Sequence, residues 1–130
     1  TKDSEIILYG ESLGTAVAIN LSQNYKFAGI ILEAPFTSMS KLAKKYYPFL
    51  PVKFLLKDKY ESLEKLPNIK SPILVMHGKK DKIVPFHMGL TVFERANEPK
   101  YNYFNNYDDH MMEFNNELLK SIEMFIKGLN

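Results

Sequence analysis

The sequence contains no cysteine, which excludes disulfide bonds, thiolate nucleophiles and cysteine metal ligands. Arginine is nearly absent, since Arg95 is the only arginine among 17 basic residues. Nucleic-acid binders depend on arginine for bidentate phosphate and base contacts, so this composition indicates no nucleic-acid partner. No apolar run approaches the length of about 18 residues that a membrane span needs. Residues 1–7 also lack the charge and apolar arrangement of a signal peptide.

The composition that is present is ordinary for one globular domain. The chain has 130 residues, of which 45% are hydrophobic and 25% are charged, and its net charge is only +2. These values predict a single folded domain rather than a disordered segment. A chain without cysteine fits a reducing compartment, so we expect a cytoplasmic location, with any anchor or signal lying upstream of Thr1.

Short apolar runs alternate with stretches of helical spacing along the chain. Such runs are typical of parallel strands buried on both faces. The predicted strands are Glu5–Tyr9, Phe27–Leu32, Ile73–Met76 and Tyr101–Phe104. The first predicted helix, Leu13–Leu21, is apolar nearly all round and is expected to be well buried. A second helix is predicted to begin near Pro85. A third is predicted near the end of the chain, with Leu118, Ile122, Phe125 and Leu129 on one face. This alternation predicts the α/β class, with a parallel sheet and right-handed crossovers.

A possible nucleophile follows the first predicted strand in the motif Gly10-Glu11-Ser12-Leu13-Gly14. A tight strand-to-helix turn with glycines on both sides pushes a serine hydroxyl outward in a strained conformation. The helix that begins behind Ser12 directs backbone N–H groups toward a developing oxyanion, and the N–H of Leu13 is the predicted first donor. The alternative is a glycine-bounded turn that carries an idle serine.

A serine nucleophile needs a base, and the base needs an orienting acid. Asp81 follows the third strand and His110 follows the fourth, so both are expected at the sheet edge that carries Ser12. The chain order Ser, Asp, His also matches this architecture. A solvated loop aspartate and a surface histidine are the alternatives. His77 is interpreted as structural, and His87 lies inside a predicted helix.

A metal site is the competing use of these side chains. The spacings H-x-x-x-H and H-E-x-x-H do not occur in the sequence, so no metal site is predicted. The polar residues that would have to form one are His77, Asp81, His87, Asp108, Asp109 and His110. The serine chemistry needs no cofactor.

The sequence resembles the α/β-hydrolase superfamily in three segments, Leu8–Ala18, Ile31–Thr37 and Pro72–Pro85. Within the superfamily it is most similar to monoacylglycerol and lysophospholipid lipases or depalmitoylase-like domain proteins. The resemblance implies a parallel sheet with helices on both faces. It also implies that residues 1–130 are one partial domain, the C-terminal half of an α/β-hydrolase fold. The early strands and the second oxyanion donor of the family are therefore expected to be absent, and association with a missing N-terminal half or self-association is expected.

The resemblance also bears on two segments, residues 36–66 and the loop before His110. Residues 36–66 correspond to a short cap-like insertion whose aromatic and aliphatic side chains would line an acyl pocket. The lysines of the insertion are compatible with contact with an anionic membrane surface, although ordinary packing is the simpler interpretation. The histidine of the family often follows a small residue or glycine, whereas His110 follows Tyr107-Asp108-Asp109.

The predicted function is that of a serine hydrolase that cleaves carboxylic ester or thioester bonds of small acyl substrates through an acyl-enzyme. Acyl transfer to an alcohol uses the same residues and stays open. The other alternative is a catalytically inert piece that serves only as a binding or structural part of a longer or split hydrolase. Nothing in the sequence specifies the acyl-chain length or the head group.

Overall fold

The structure is a computed structural model that describes residues 5–38, 41 and 61–129. Most of the predicted cap-like insertion, residues 39–40 and 42–60, lies outside the described residues. At its edges, residues 36–38 are buried, and the short helix α2 (Ser62–Lys65) continues into one 3₁₀ turn, Leu66–Asn68.

Four parallel strands form one sheet in the order β1-β2-β3-β4. Their bounds are Ile7–Glu11 for β1, Gly29–Glu33 for β2, Ile73–Gly78 for β3 and Lys100–Asn105 for β4. The register pairs Glu11 with Glu33 and Gly78 with Asn105, so the carboxyl ends of all four strands meet at one edge. In open α/β sheets this edge is where ligands bind.

The two faces of the sheet are covered by different helices. On one face, α1 (Leu13–Ser22) and α3 (Phe86–Arg95) pack over the even-numbered side chains of β2 and the odd-numbered ones of β3. On the other face, α4 (Asn116–Lys127) covers the alternate side chains through Leu118 and Phe125. The predicted class, a parallel α/β sheet with helices on both faces, is therefore confirmed.

The central strands behave as their apolar sequences predict. Every residue of β2 and β3 is buried, because helices cover both sides of these strands. The expected fourth strand at Tyr101–Phe104 is present, one residue longer at each end. The last helix begins after Asn115, whose side chain accepts a hydrogen bond from the N–H of Leu118 at 3.0 Å.

Two expectations of burial differ from the structure. The apolar run of the first strand suits burial on both faces, but β1 is the outer strand of the described sheet and its Tyr9 is exposed, which agrees with the expected absence of the earlier strands. Helix α1 buries only the stripe that faces the sheet and leaves the opposite apolar stripe exposed, with Leu13 at 60%. An apolar composition all round does not bury a helix that packs through one face. In the described part of the chain, no helix is long and apolar enough to cross a membrane.

Candidate active site

Ser12 lies in a strained turn between β1 and α1. Its φ of 51° and ψ of −112° place a non-glycine residue in a sparsely populated region of backbone conformation. Ser12 occupies the N-cap position of α1, where serine ordinarily bonds to a backbone N–H of the first turn, yet its side chain makes no capping hydrogen bond. The turn therefore leaves the hydroxyl available at the sheet edge.

The two glycines of the motif differ in what the turn requires of them. A Cβ on Gly10 would lie 2.6 Å from the carbonyl oxygen of Gly14, so only glycine permits this close approach of β1 to α1. A Cβ on Gly14 would meet nothing within 4 Å. The expectation that both glycines make room for the turn therefore holds for Gly10 and not for Gly14.

Hydrogen bonds hold the strained turn on both sides. The N–H of Ser12 donates to the carbonyl oxygen of Glu33 on β2 at 2.9 Å. The Ser12 carbonyl accepts from the backbone N–H of Thr15 at 3.0 Å and from the Thr15 hydroxyl at 2.6 Å. Strain persists only where the surroundings over-determine it, and these three bonds supply that restraint. The N–H of Leu13 opens α1, where backbone donors have no acceptor within the helix.

Asp81 and His110 form a direct pair. The Nδ1 atom of His110 lies 2.8 Å from Oδ2 of Asp81, and the His110 side chain is 15% exposed. The other oxygen of Asp81, Oδ1, accepts from the N–H groups of Ile83 and Val84, each at 2.8 Å. Because the carboxylate accepts the Nδ1 proton, Nε2 is the ring nitrogen left to take a proton from a nucleophile.

The loop that carries His110 needs a glycine, and β3 supplies it. A Cβ on Gly78 would lie 2.3 Å from the carbonyl oxygen of Asp108 and 2.6 Å from that of Asp109. The N–H of Lys80 donates to the Asp108 carbonyl at 3.0 Å. The absence of glycine before His110 thus has a structural explanation, because room for the loop is made on the neighbouring strand.

The three predicted catalytic residues follow β1, β3 and β4 at the same edge of the sheet. The structure brings Asp81 and His110 into contact. Within the described residues, no hydrogen bond joins the Ser12 hydroxyl to His110. Their functional connection therefore stays a prediction.

The sequence interpretation missed a buried carboxyl group beside Ser12. Glu33, the last residue of β2, is 1% exposed and its Oε1 accepts a hydrogen bond from the Tyr9 hydroxyl at 2.5 Å. Burial is the main cause that raises the pKa of Glu33, and the nearby charge of Glu11 raises it further. The hydrogen bond from Tyr9 and the electrostatic interaction with His110 lower this pKa in part. Tyr9 is exposed over part of its side chain, yet partial desolvation, aided by Glu33, raises its pKa far above the usual value. The sequence feature that could have identified Glu33 is its position as a carboxylate at the end of an otherwise apolar strand.

A second missed contact involves His77, which was interpreted as structural only. Its Nε2 atom lies 3.2 Å from Oδ2 of Asp81, the oxygen that also contacts His110. His87, in contrast, is exposed on α3. Across residues 5–38, 41 and 61–129, no group of three or more histidine, aspartate or glutamate side chains is arranged to hold a metal ion.

Comparison with known proteins identifies related sequences. A family model described as the prolyl oligopeptidase family matches residues 1–118. Alpha/beta hydrolase domain-containing protein 17B from Homo sapiens is 34% identical over 102 residues, which cover 75% of this chain and 33% of that protein. The chain spans about a third of the length of the curated relatives it matches.

Comparison with solved structures identifies the same fold. An esterase from a Rhodococcus species superposes with a TM-score of 0.74 at 17% identity, covering 98% of this chain and 67% of that one. A monoacylglycerol lipase from Paleococcus ferrophilus gives a TM-score of 0.69 at 17% identity, covering 95% of this chain and 69% of that one. With the matched residues 1–118 and the parallel sheet, the chain belongs to the prolyl oligopeptidase family, within the α/β-hydrolase superfamily.

Proposed function

We propose that this chain carries the nucleophile, the base and the acid of a serine hydrolase that cleaves carboxylic esters or thioesters. Ser12 is the nucleophile, His110 is the general base and Asp81 orients the base. The observation that carries the proposal is the 2.8 Å contact between His110 Nδ1 and Asp81 Oδ2, at the edge that holds the strained Ser12 turn. The resemblance in chain order supports the same assignment.

The first half of the reaction forms an acyl-enzyme. The Ser12 Oγ attacks the carbonyl carbon of the substrate while His110 Nε2 takes the hydroxyl proton. The N–H of Leu13, at the start of α1, donates to the oxygen that becomes negative. His110 then gives its proton to the leaving oxygen or sulfur, the bond to the leaving group breaks, and the acyl group remains on Ser12. Asp81 stabilises the imidazolium in between.

The second half of the reaction uses the same groups in reverse order. A water molecule attacks the acyl carbon and gives a proton to His110 Nε2. The ester bond to Ser12 breaks and His110 returns the proton to the Ser12 oxygen, so the carboxylic acid leaves and the enzyme is restored. An alcohol in place of water would give acyl transfer with the same residues.

Esters are proposed over other acyl compounds on the basis of the structural relatives, and thioesters on the basis of the sequence resemblance to depalmitoylase-like domain proteins. One superposed structure is named an esterase and another a monoacylglycerol lipase. The family model, however, is named for an oligopeptidase. A substrate panel should therefore hold the acyl group constant and vary only the leaving atom among oxygen, sulfur and nitrogen.

Labelling with a fluorophosphonate probe, read by intact mass, tests the proposal. We expect one adduct on the parent chain and none on Ser12→Ala, because only an activated serine reacts. Ser121→Ala is the matched control, since Ser121 lies on α4 and donates to the carbonyl oxygen of Glu117. That variant should label like the parent.

Two results would contradict the proposal. An adduct that persists on Ser12→Ala would place the reactive serine elsewhere. No adduct on a parent chain with a cooperative melt would show an inert chain, which is the behaviour expected of a binding or structural part of a longer hydrolase.

A further inference from the structure

His77 is a buried histidine that contacts the acid of the proposed site. It is the penultimate residue of β3, is 0% exposed, and points to the face covered by α3. Its Nε2 atom lies 2.8 Å from the carbonyl oxygen of Val84 and 3.2 Å from Oδ2 of Asp81. Both contacts involve one nitrogen and two oxygen acceptors.

These acceptors determine where the ring carries its proton. A carbonyl oxygen only accepts, so the Nε2 atom facing Val84 must carry the hydrogen. Burial lowers the pKa of His77, which favours the neutral ring with a single N–H. The Nδ1 atom is then a bare acceptor, and it is buried with no hydrogen-bond partner among the described residues.

The N–H of His77 lies close to Asp81 without being its main hydrogen-bond donor. Oδ1 of Asp81 accepts from the backbone N–H groups of Ile83 and Val84. Oδ2 contacts His110 Nδ1 at 2.8 Å and lies 3.2 Å from His77 Nε2, whose hydrogen bond goes to the Val84 carbonyl. The Nε2–H of His77 is therefore a second side-chain N–H beside Oδ2, and a proton transfer at His110 would not change it.

Helix α3 is shaped to admit the His77 ring. A Cβ on Gly89 would lie only 2.1 Å from His77 Nδ1, so any side chain there would displace the ring. The Phe86 ring contacts it edge to face, with centroids 5.8 Å apart. An unpartnered buried nitrogen costs free energy that an apolar side chain would avoid. A stabilising role for packing alone therefore does not explain a histidine here.

We propose that His77 is a positioning residue for the Asp81–His110 pair, which holds Oδ2 of Asp81 through a fixed Nε2–H and thereby sets the orientation of the His110 ring. This inference rests on the proposed function for its catalytic consequence. Its structural part, an Nε2–H that lies between the Val84 carbonyl and Oδ2 of Asp81, is tested independently of activity. Partners that orient metal ligands commonly change affinity or activity by about 10- to 100-fold when they are removed, and we expect an effect of the same order for a partner that orients Asp81.

The test compares three variants with the parent chain. His77→Leu removes the donor at similar volume, and His77→Gln keeps an N–H donor at a comparable reach. His87→Gln is the control, because it also removes a histidine but from the exposed surface of α3. The readouts are ring ¹⁵N shifts of the histidines, the downfield proton of His110 Nδ1–H, and kcat and KM for an ester substrate.

The proposal predicts a distinct pattern in these readouts. His77 should hold its proton on Nε2 from about pH 5 to about pH 8. His77→Leu should shift or broaden the His110 downfield proton and lower kcat about 10-fold, with KM nearly unchanged. His77→Gln should recover most of both effects, and His87→Gln should match the parent. A purely structural role would lower stability without moving the His110 proton.

Several results would overturn the inference. One is a proton on Nδ1 of His77. Another is a folded His77→Leu with the downfield proton and kcat of the parent. If His77→Leu does not fold, two other measurements test the inference. They are the tautomer of His77 in the parent and the downfield proton of His110 in His77→Gln. A parent that hydrolyses no ester refutes the proposed function, while the ring ¹⁵N shifts and the His110 proton still test His77.

Discussion

The nucleophile turn and the acid–base pair lie at one sheet edge but are built in different ways. The turn is local, since Gly10, Ser12 and Thr15 lie within six residues and only the bond to Glu33 reaches beyond them. The pair joins Asp81 and His110 across 29 residues through loops after two neighbouring strands. The Ser12 turn therefore depends on backbone strain, whereas the Asp81–His110 pair depends on strand register.

The largest expected effect comes from breaking the acid–base pair without changing its shape. Asp81→Asn should lower kcat by about 10,000-fold, because the amide favours the wrong histidine tautomer. Asp109→Asn is the matched control, since Asp109 is exposed in the neighbouring loop after β4, and in the described part of the chain its side chain accepts from the N–H of Met111. Steady-state ester hydrolysis measures both. Equal activity of Asp81→Asn and Asp109→Asn would refute the role of Asp81.

The next effect tests the backbone half of the comparison. Gly10→Ala should destabilise the fold by about 1–3 kcal/mol, because its Cβ would press on the Gly14 carbonyl and displace the turn. Gly14→Ala places its Cβ in open space within a helix, so stability should rise by up to about 1 kcal/mol. Chemical denaturation of both variants provides the measurement. Similar losses from the two substitutions would contradict the account of the turn.

The smallest effect concerns Glu33, the buried carboxyl beside the nucleophile turn. Since folding raises the pKa of Glu33, its contribution to stability is complete below the unfolded-state pKa, about 4.3. It is lost as the pH rises through the folded-state pKa, because the unfolded chain then releases its proton first. Glu33→Gln keeps an acceptor for Tyr9 and should remove this loss. Denaturation at a series of pH values should therefore show a flatter profile for Glu33→Gln, and parallel profiles would contradict the assignment.

Much of the fold follows from the sequence for physical reasons. Apolar runs without alternation predicted the buried strands β2 and β3, because such runs are typical of strands covered on both faces. The position of Asp81 after β3 and of His110 after β4 predicted their proximity, because parallel neighbours end at the same edge. The motif around Ser12 predicted the strained turn through its local glycine requirement.

The remaining features depend on contacts that no local pattern specifies. The burial of Glu33 beside Tyr9 joins side chains 24 residues apart. The contact of His77 with Asp81 spans only four residues, but it depends on the turn that follows β3. The requirement for Gly78 beneath the His110 loop is likewise a property of two strands together. The exposure of α1 was mispredicted because composition does not reveal which faces of a helix have packing partners.

The most direct test of the central claim asks whether the two halves of the site work together. The measurement is the rate of fluorophosphonate labelling of Ser12 in the parent and in His110→Gln. If His110 is the base for Ser12, labelling in the variant should slow by about 100- to 10,000-fold while its melting transition stays cooperative. A folded His110→Gln that labels at the parent rate would show that His110 is not the base for Ser12, although both lie at the same sheet edge.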